Sequence, residues 1–139
     1  MNTMENIQPE IIISESDAEK LDELLAVVSQ KEFPGSVNLE QELDRASIVP
    51  SSQIPENVVT MNSRVRFKDI HSAKSFILTL VYPKDAGQQE TVSVLAPIGS
   101  ALLGLSVGQQ ISWPKPAGGM MLVEIEEILY QPERDGALA

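Results

Sequence analysis

The stretch VSVLAPIGSALLGLSVGQQISW contains the chain's nearest approach to a phosphate-binding motif. Gly99, Gly104, Leu105 and Ser106 are spaced as G-x-x-x-x-G-L-S, one residue away from the G-x-x-x-x-G-K-[ST] loop that cradles nucleotide phosphates. The lysine of that loop supplies the charge that reaches the phosphates, and here Leu105 takes its place. Because the stretch is mainly apolar, we predict a structural role, with a short helix over Ile98–Leu103 that Gly104 ends in a left-handed conformation.

The chain lacks the residue sets that common catalytic sites require. It contains no cysteine, which excludes disulfides and thiolate chemistry. Its single histidine, His71, lies in the predicted hairpin loop KDIHSAK, so a metal site built from several imidazoles is excluded. A magnesium site uses paired carboxylates, and the predicted tip of the helical hairpin, Lys31, Glu32 and Phe33, has one carboxylate. We therefore expect no metal, no cofactor and no enzymatic activity.

The formal net charge of −10 is distributed unevenly along the chain. Residues 1–52 contain 11 acidic and 3 basic side chains, whereas residues 53–139 contain 9 and 7. An acidic front half repels nucleic acid, because duplex affinity comes mainly from lysine and arginine at the phosphates. It suits a basic protein surface or, equally, the solvated face of a helix. We expect a protein partner and no direct binding to nucleic acid.

The sequence also bears on the compartment. No stretch approaches the roughly 20 apolar residues of a membrane helix, and the first residues, MNTMENIQPE, lack the pattern of a signal peptide. The absence of cysteine fits a reducing environment. We expect a cytoplasmic protein that makes no contact with a membrane and acts as a monomer.

Two amphipathic helices are predicted near the start of the chain. The first begins at a capping box formed by Ser16 and Glu19, and has about 14 residues, or about 21 Å. Pro34 and Gly35 then make a turn, and a second helix follows from about Asn38 to Ser47. The two helices would form a short antiparallel hairpin, a coiled-coil stub. The apolar stripe of the first helix consists of Leu21, Leu24, Leu25 and Val28.

Beyond the linker VPSSQIPE the pattern changes from helical to extended. In VVTMNSRVRF, alternate residues from Val59 to Phe67 face inward, as expected of a half-buried strand. SFILTLVYP, ETVSVLAP, QQISW and MMLVEIEEILY are predicted as further strands. The fold class is therefore α+β, with the helical hairpin in residues 1–52 and an antiparallel sheet with one short helix in residues 53–139. The run Ile11–Ile13 is expected to be a short extended segment that packs against the body.

Two segments resemble a known family. LAPIGSALLGLSVGQQI, followed by PKPAGGMMLVEIEEILY, resembles the C-terminal domain of the Gre transcript-cleavage factors over about residues 53–131. The motifs IIIS…DAEKLDELL, ELDRA and VVTMNSRVRF look like the Rnk family, named for the regulation of nucleoside diphosphate kinase, over about residues 10–135. The resemblance implies an FK506-binding-protein-like domain that docks on bacterial RNA polymerase at the rim of the secondary channel.

The resemblance also indicates what this chain would not do. Gre factors insert a long coiled-coil arm into that channel, and acids at its tip help to hold a catalytic Mg²⁺. Here the hairpin is a stub and Glu32 is alone at its tip. We therefore expect polymerase binding and competition with Gre-type factors, without stimulation of RNA cleavage. The positions that match the family motif, and that we expect at the contact, are Pro97, Ile98, Gly99, Ser100, Ala101 and Leu102.

Two other functions remain open at this point. An FK506-binding-protein-like fold suggests peptidyl-prolyl isomerase activity, although that chemistry uses an aromatic-lined pocket and aromatic residues make up 4% of the chain. The Rnk name suggests direct action on nucleoside diphosphate kinase, for which the residues supply no mechanism.

Overall fold

The computed structural model describes residues 10–27, 35–114 and 118–135. Within these residues the chain forms a five-stranded mixed sheet, a two-stranded parallel sheet and four α-helices, which confirms the α+β class. None of the described helices is long and apolar enough to cross a bilayer. In chain order the elements are β1 Ile12–Ser14, α1 Glu15–Val27, α2 Gly35–Arg45, β2 Ser47–Val49, β3 Arg64–Asp69, β4 Lys74–Val81, β5 Thr91–Ser93, α3 Pro97–Leu102, β6 Gln110–Pro114, β7 Met120–Tyr130 and α4 Pro132–Asp135.

The main sheet has the strand order β5-β4-β3-β7-β6. Three of its strand pairs are antiparallel, as predicted: β3 with β4, β3 with β7, and β6 with β7. The prediction of a wholly antiparallel sheet is wrong at one edge, where β5 pairs with β4 in parallel. The connection over residues 82–90, which contains a 3₁₀ turn at Pro83–Asp85, returns the chain so that it enters β5 in the direction of β4.

The strand predicted from Val59 begins later, at Arg64. Between them the chain turns, since Asn62 has a φ of 69° and the Ser63 amide donates to the Thr60 carbonyl oxygen at 3.0 Å. The residues predicted to face inward are all buried. Thr60, predicted to face solvent, is buried too, because in a turn successive side chains no longer alternate between two faces.

The N-terminal segment shares one core with the main sheet. Ile11 and Ile13 are 0% and 2% exposed, and they belong to the same apolar cluster as the residues of β3 and β7. The Ile12 amide donates to the carbonyl oxygen of Gly104 at 3.1 Å, and β1 pairs in parallel with β2. The prediction that this isoleucine run packs against the body is confirmed.

Both predicted helices form, with different starting points. Ser14 caps α1, since its Oγ accepts a hydrogen bond from the Asp17 amide at 3.0 Å, so the capping position lies two residues before the predicted Ser16. The second helix, α2, begins at Gly35 and not at Asn38. The turn between the helices lies outside the described residues, and the antiparallel hairpin therefore stays a prediction.

Candidate functional site

The predicted contact segment forms helix α3. Ser100, Ala101 and Leu102 are 0% exposed, and Leu102 belongs to the main apolar cluster. Ile98 is partly buried and packs against the same cluster. The buried side chains hold α3 in place. Among the side chains of this segment that the structure describes, that of Ile98 reaches the surface. The contact role of Pro97, Ile98, Gly99, Ser100, Ala101 and Leu102 stays a prediction.

The two glycines of the loop-like motif lie where no side chain fits. A Cβ on Gly99 would come within 2.0 Å of the Ser93 carbonyl oxygen, so α3 packs directly on the backbone at the end of β5. Gly104 has a φ of +83°, and a Cβ there would come within 2.8 Å of the Cβ of Ile11. These contacts explain, without a nucleotide, why glycine is required at both positions. The predicted left-handed conformation of Gly104 is confirmed, but the helix spans Pro97–Leu102 and ends before it, because the backbone is already extended at Leu103.

The other residues singled out in the sequence do not form a site. The predicted hairpin tip, Lys31, Glu32 and Phe33, lies outside the described residues. His71 is exposed in the loop between β3 and β4, where its amide donates to Asp69 Oδ1 at 3.0 Å. Among the residues that the structure describes, no group of three or more histidine, cysteine or carboxylate side chains could hold a metal ion.

A polar junction that the sequence did not reveal joins α1 to the body. The side chain of Asp17 is 8% exposed, and its Oδ2 accepts a hydrogen bond from the Met61 amide at 3.1 Å. This bond connects residues 44 positions apart in the chain. Because Met61 lies in the turn that precedes β3, the bond ties the first turn of the helix to the start of the main sheet.

The C-terminal helix α4 contributes a second carboxylate to this junction. Glu133 Oε1 accepts a hydrogen bond from Thr60 Oγ1 at 2.8 Å. Thr60 is fixed in turn by Ser63, whose Oγ accepts from the Thr60 amide at 2.9 Å and lies 2.8 Å from Thr60 Oγ1. Three separated parts of the chain, α1, the turn before β3 and α4, therefore meet at two carboxylates.

The electrostatics of the junction disfavour charge on Asp17. The pKa of Asp17 is raised from 3.8 to about 6, mainly by burial and in part by the Glu133 carboxylate, while the Met61 amide and Lys20 oppose the rise. The phenol of Tyr82 faces the same carboxyl group. Burial, with the charge of Asp17, raises the pKa of Tyr82, and its buried hydroxyl oxygen makes no well-formed hydrogen bond with the described residues.

Two open cavities flank the junction. One, of about 280 Å³, is lined by both carboxylates together with Lys20 and Tyr130. The other, of about 650 Å³, lies between α1 and the Pro83–Asp85 turn and is lined by Tyr82 and again by Lys20. Lys20 is thus the cation that borders both cavities, next to the buried acid.

One signal in the sequence could have found the junction. Asp17 lies four residues before Leu21 and seven before Leu24, so it occupies a position of the apolar stripe of α1. A carboxylate at such a position is expected to be buried and to need a partner. Its partners, the Met61 amide and Glu133, come from turns and helix ends whose contacts no periodic pattern specifies.

Two families match consecutive parts of the chain. The family "Rnk N-terminus" matches residues 9–49. The family "Transcription elongation factor, GreA/GreB, C-term" matches residues 54–130, which is more than half of the chain. The second match covers the main sheet and α3, and the first covers β1, α1 and α2.

Individual relatives agree with both matches. The Escherichia coli (strain K12) "Regulator of nucleoside diphosphate kinase" is 43% identical over 130 residues, covering 93% of this chain and 96% of the relative. GreA of Thermodesulfovibrio yellowstonii is 34% identical over 80 residues, covering 57% of this chain and 51% of that relative. A solved "Prokaryotic transcription elongation factor GreA/GreB from Nitrosomonas europaea" is 54% identical with a TM-score of 0.71, covering 88% of this chain and all of the other.

Proposed function

Because the chain belongs to the Rnk family and combines its N-terminus with a GreA/GreB-type C-terminal part, we propose that it is a non-catalytic transcription regulator. It binds bacterial RNA polymerase near the secondary channel and competes there with Gre-type factors. The GreA/GreB match over residues 54–130 carries this proposal, since it spans the part to which the family resemblance assigns docking.

The length of the N-terminal arm supports a function without RNA cleavage. Helix α1 has 13 residues, which at 1.5 Å per residue is about 20 Å. An arm of this length would stay near the rim when the body docks there, unlike the long arm of a Gre factor. We therefore propose occupancy of the site without delivery of carboxylates to the polymerase active centre.

The surface of α1 supports a protein partner of positive charge. Glu15, Glu19, Asp22 and Glu23 are exposed, and Lys20 is the one base of the helix. Complementary charge at the edge of an interface mainly accelerates association. We propose that this acidic surface faces basic polymerase residues while the body makes the docking contact.

Within the body, we propose that the N-terminal end of α3, with Ile98 at the surface, lies in the contact. Partial exposure of Ile98 beside fully buried Ser100 and Ala101 supports this placement. Ile98→Ala should weaken polymerase binding, and a thermal melt of the same variant separates a lost contact from a destabilised core. Unchanged affinity in a folded variant would move the contact elsewhere.

We also infer that the body is FK506-binding-protein-like, with the short helix α3 packed near β5 and β6. Isomerase activity does not follow from that fold. The cavity of about 650 Å³ beside the junction has one aromatic side chain, Tyr82, in its lining. A proline site would need more aromatic surface, so we propose a binding protein and not an isomerase.

The direct test uses purified chain and core RNA polymerase. We expect binding at micromolar concentration, loss of that binding when a Gre factor is added, and no increase in transcript cleavage by backtracked complexes. Absence of binding at that concentration would overturn the proposal, and stimulated cleavage would overturn its non-catalytic part.

A matched pair of variants tests the role of charge. Glu19→Gln with Asp22→Asn removes two exposed acids from α1, and should lower the association rate and the salt dependence of binding. Glu56→Gln with Asp85→Asn removes two exposed acids from the body and serves as the control. Equal effects of both pairs would show that net charge, and not the arm, determines association.

A second candidate function rests on the E. coli relative, which is named as a regulator of nucleoside diphosphate kinase and not as an enzyme. Under this alternative the chain acts on the kinase directly. Purified chain would then change the activity of purified kinase with no polymerase present. No change under those conditions would assign any effect on the kinase to transcription.

A further inference from the structure

The junction between α1 and the body buries the carboxyl group of Asp17 and places a second carboxylate, Glu133, at the same cavity. Asp17 accepts the Met61 amide hydrogen bond at 3.1 Å, and it shares a cavity of about 280 Å³ with Glu133. Two carboxylates that share a site resist simultaneous ionisation. The arrangement therefore favours one additional proton.

Every element packed against Asp17 contributes to this balance. Helix α1 itself presents Lys20 and the capping Ser14, and α4 presents Glu133. The segment after β4 presents Tyr82, and the turn before β3 presents the Met61 amide. Lys20 is the one cation among these groups, and it lines the cavity that Asp17 and Glu133 share.

We propose that Asp17, Glu133 and the turn over residues 58–63 form a proton-operated latch, which holds the base of α1 against the body. When Asp17 is protonated, its carbonyl oxygen still accepts the Met61 amide while the repulsion from Glu133 disappears. When it is ionised, the cost of burying its charge and the repulsion from Glu133 outweigh the stronger hydrogen bond that the carboxylate accepts from the Met61 amide, and the junction is weaker. Since α1 is the first helix of the N-terminal arm, the latch controls how firmly the arm is anchored.

The pH range of the latch follows from the raised pKa. The folded value of about 6 lies above the ordinary value of 3.8, so the stabilisation is complete below pH 4 and is lost as the pH rises through 6. When the pH falls from 7 to 5, the ratio of the closed form, in which the base of α1 is held against the body, to the open form should rise about tenfold. A modest acidification would therefore tighten the anchor of the arm.

The test is hydrogen exchange of the Met61 amide in the full chain between pH 5 and pH 8, corrected for the intrinsic exchange rate. We expect its protection to rise about tenfold from pH 7 to pH 5. The Ile70 amide, which donates to the Leu122 carbonyl oxygen at 2.8 Å, is the reference. Protection at Met61 that does not change with pH, or a rise that persists in Asp17→Asn, would overturn the latch.

Three variants separate the latch from general effects of charge. Asp17→Asn should remove the pH dependence, and Glu133→Gln should move the transition to lower pH because Glu133 raises the pKa of Asp17. Glu19→Gln, at an exposed acid of the same helix, should leave the pH dependence of the Met61 protection unchanged. If Asp17→Asn fails to fold, Glu133→Gln decides, and an unmoved transition there refutes the proposal. No polymerase enters the experiment, so its outcome is independent of the proposed function.

Discussion

Three glycines of this chain differ in the atoms that a side chain at their position would contact. A Cβ on Gly99 would meet a backbone carbonyl oxygen at 2.0 Å, whereas a Cβ on Gly108 would meet nothing within 4 Å. Gly104 combines a φ of +83° with a contact at 2.8 Å to Ile11. Sequence spacing makes Gly99 and Gly104 look like one motif, but their physical roles are separate.

Alanine substitutions should rank accordingly. Gly99→Ala forces the backbone at the end of β5 to move and should cost about 3 kcal/mol of unfolding free energy. Gly108→Ala meets only the unfavourable positive φ and should cost about 1 kcal/mol. Chemical denaturation of both variants measures the difference. Equal losses would mean that α3 does not pack on the Ser93 backbone.

Asp17 should also make the free energy of unfolding of the whole chain depend on pH. Its folded pKa of about 6 exceeds the ordinary 3.8, so protonation favours the folded state and this contribution disappears as the pH rises from 4 to 6. Relative to the wild type, Asp17→Asn should therefore gain about 2 kcal/mol between pH 4.5 and pH 7. Denaturation at the two pH values measures the change, and a constant difference would show that the Asp17 pKa is ordinary.

At the scale of elements, the capping of α1 distinguishes two neighbouring serines. Ser14 is fully buried, and its Oγ accepts the Asp17 amide, whereas Ser16 is exposed. Ser14→Ala should cost about 1 kcal/mol, and Ser16→Ala should cost far less. Thermal or chemical unfolding of the pair provides the comparison. A larger loss at Ser16 would restore the capping box that the sequence suggested.

The elements that could be predicted from the sequence are those fixed by periodicity. The strands β4, β6 and β7 follow from alternating or continuous apolar runs, and α1 follows from its apolar stripe. The parallel edge at β5 could not be predicted, because pairing direction depends on the path of residues 82–90 and not on any pattern within the strand.

The candidate site was less predictable than the fold. The predicted cap of α1, Ser16, lies two residues after the observed cap, because Ser14 and Ser16 both satisfy the capping preference and only the helix start selects between them. The Asp17 junction depends on contacts with Met61 and Glu133, 44 and more residues away in the chain. Burial of a carboxylate can be suspected from its place in the stripe, but its partners cannot.

At the scale of the whole molecule, the N-terminal segment and the main sheet should unfold together. Ile13 is 2% exposed within the cluster that also contains the residues of the sheet. Ile13→Ala should cost about 3 kcal/mol and keep a single transition. Far-UV circular dichroism and the fluorescence of Trp113 should report coincident midpoints. Two separated transitions would show that the parts fold as independent domains.

Cross-linking of the full chain to core RNA polymerase, with the linked residues mapped on both partners, tests the proposed function most directly. We expect cross-links from residues 54–130, including the surroundings of Ile98, to the rim of the secondary channel. Addition of a Gre factor should abolish them. Cross-links to a distant polymerase surface, or none at micromolar concentration, would contradict the proposal that this chain occupies the Gre docking site.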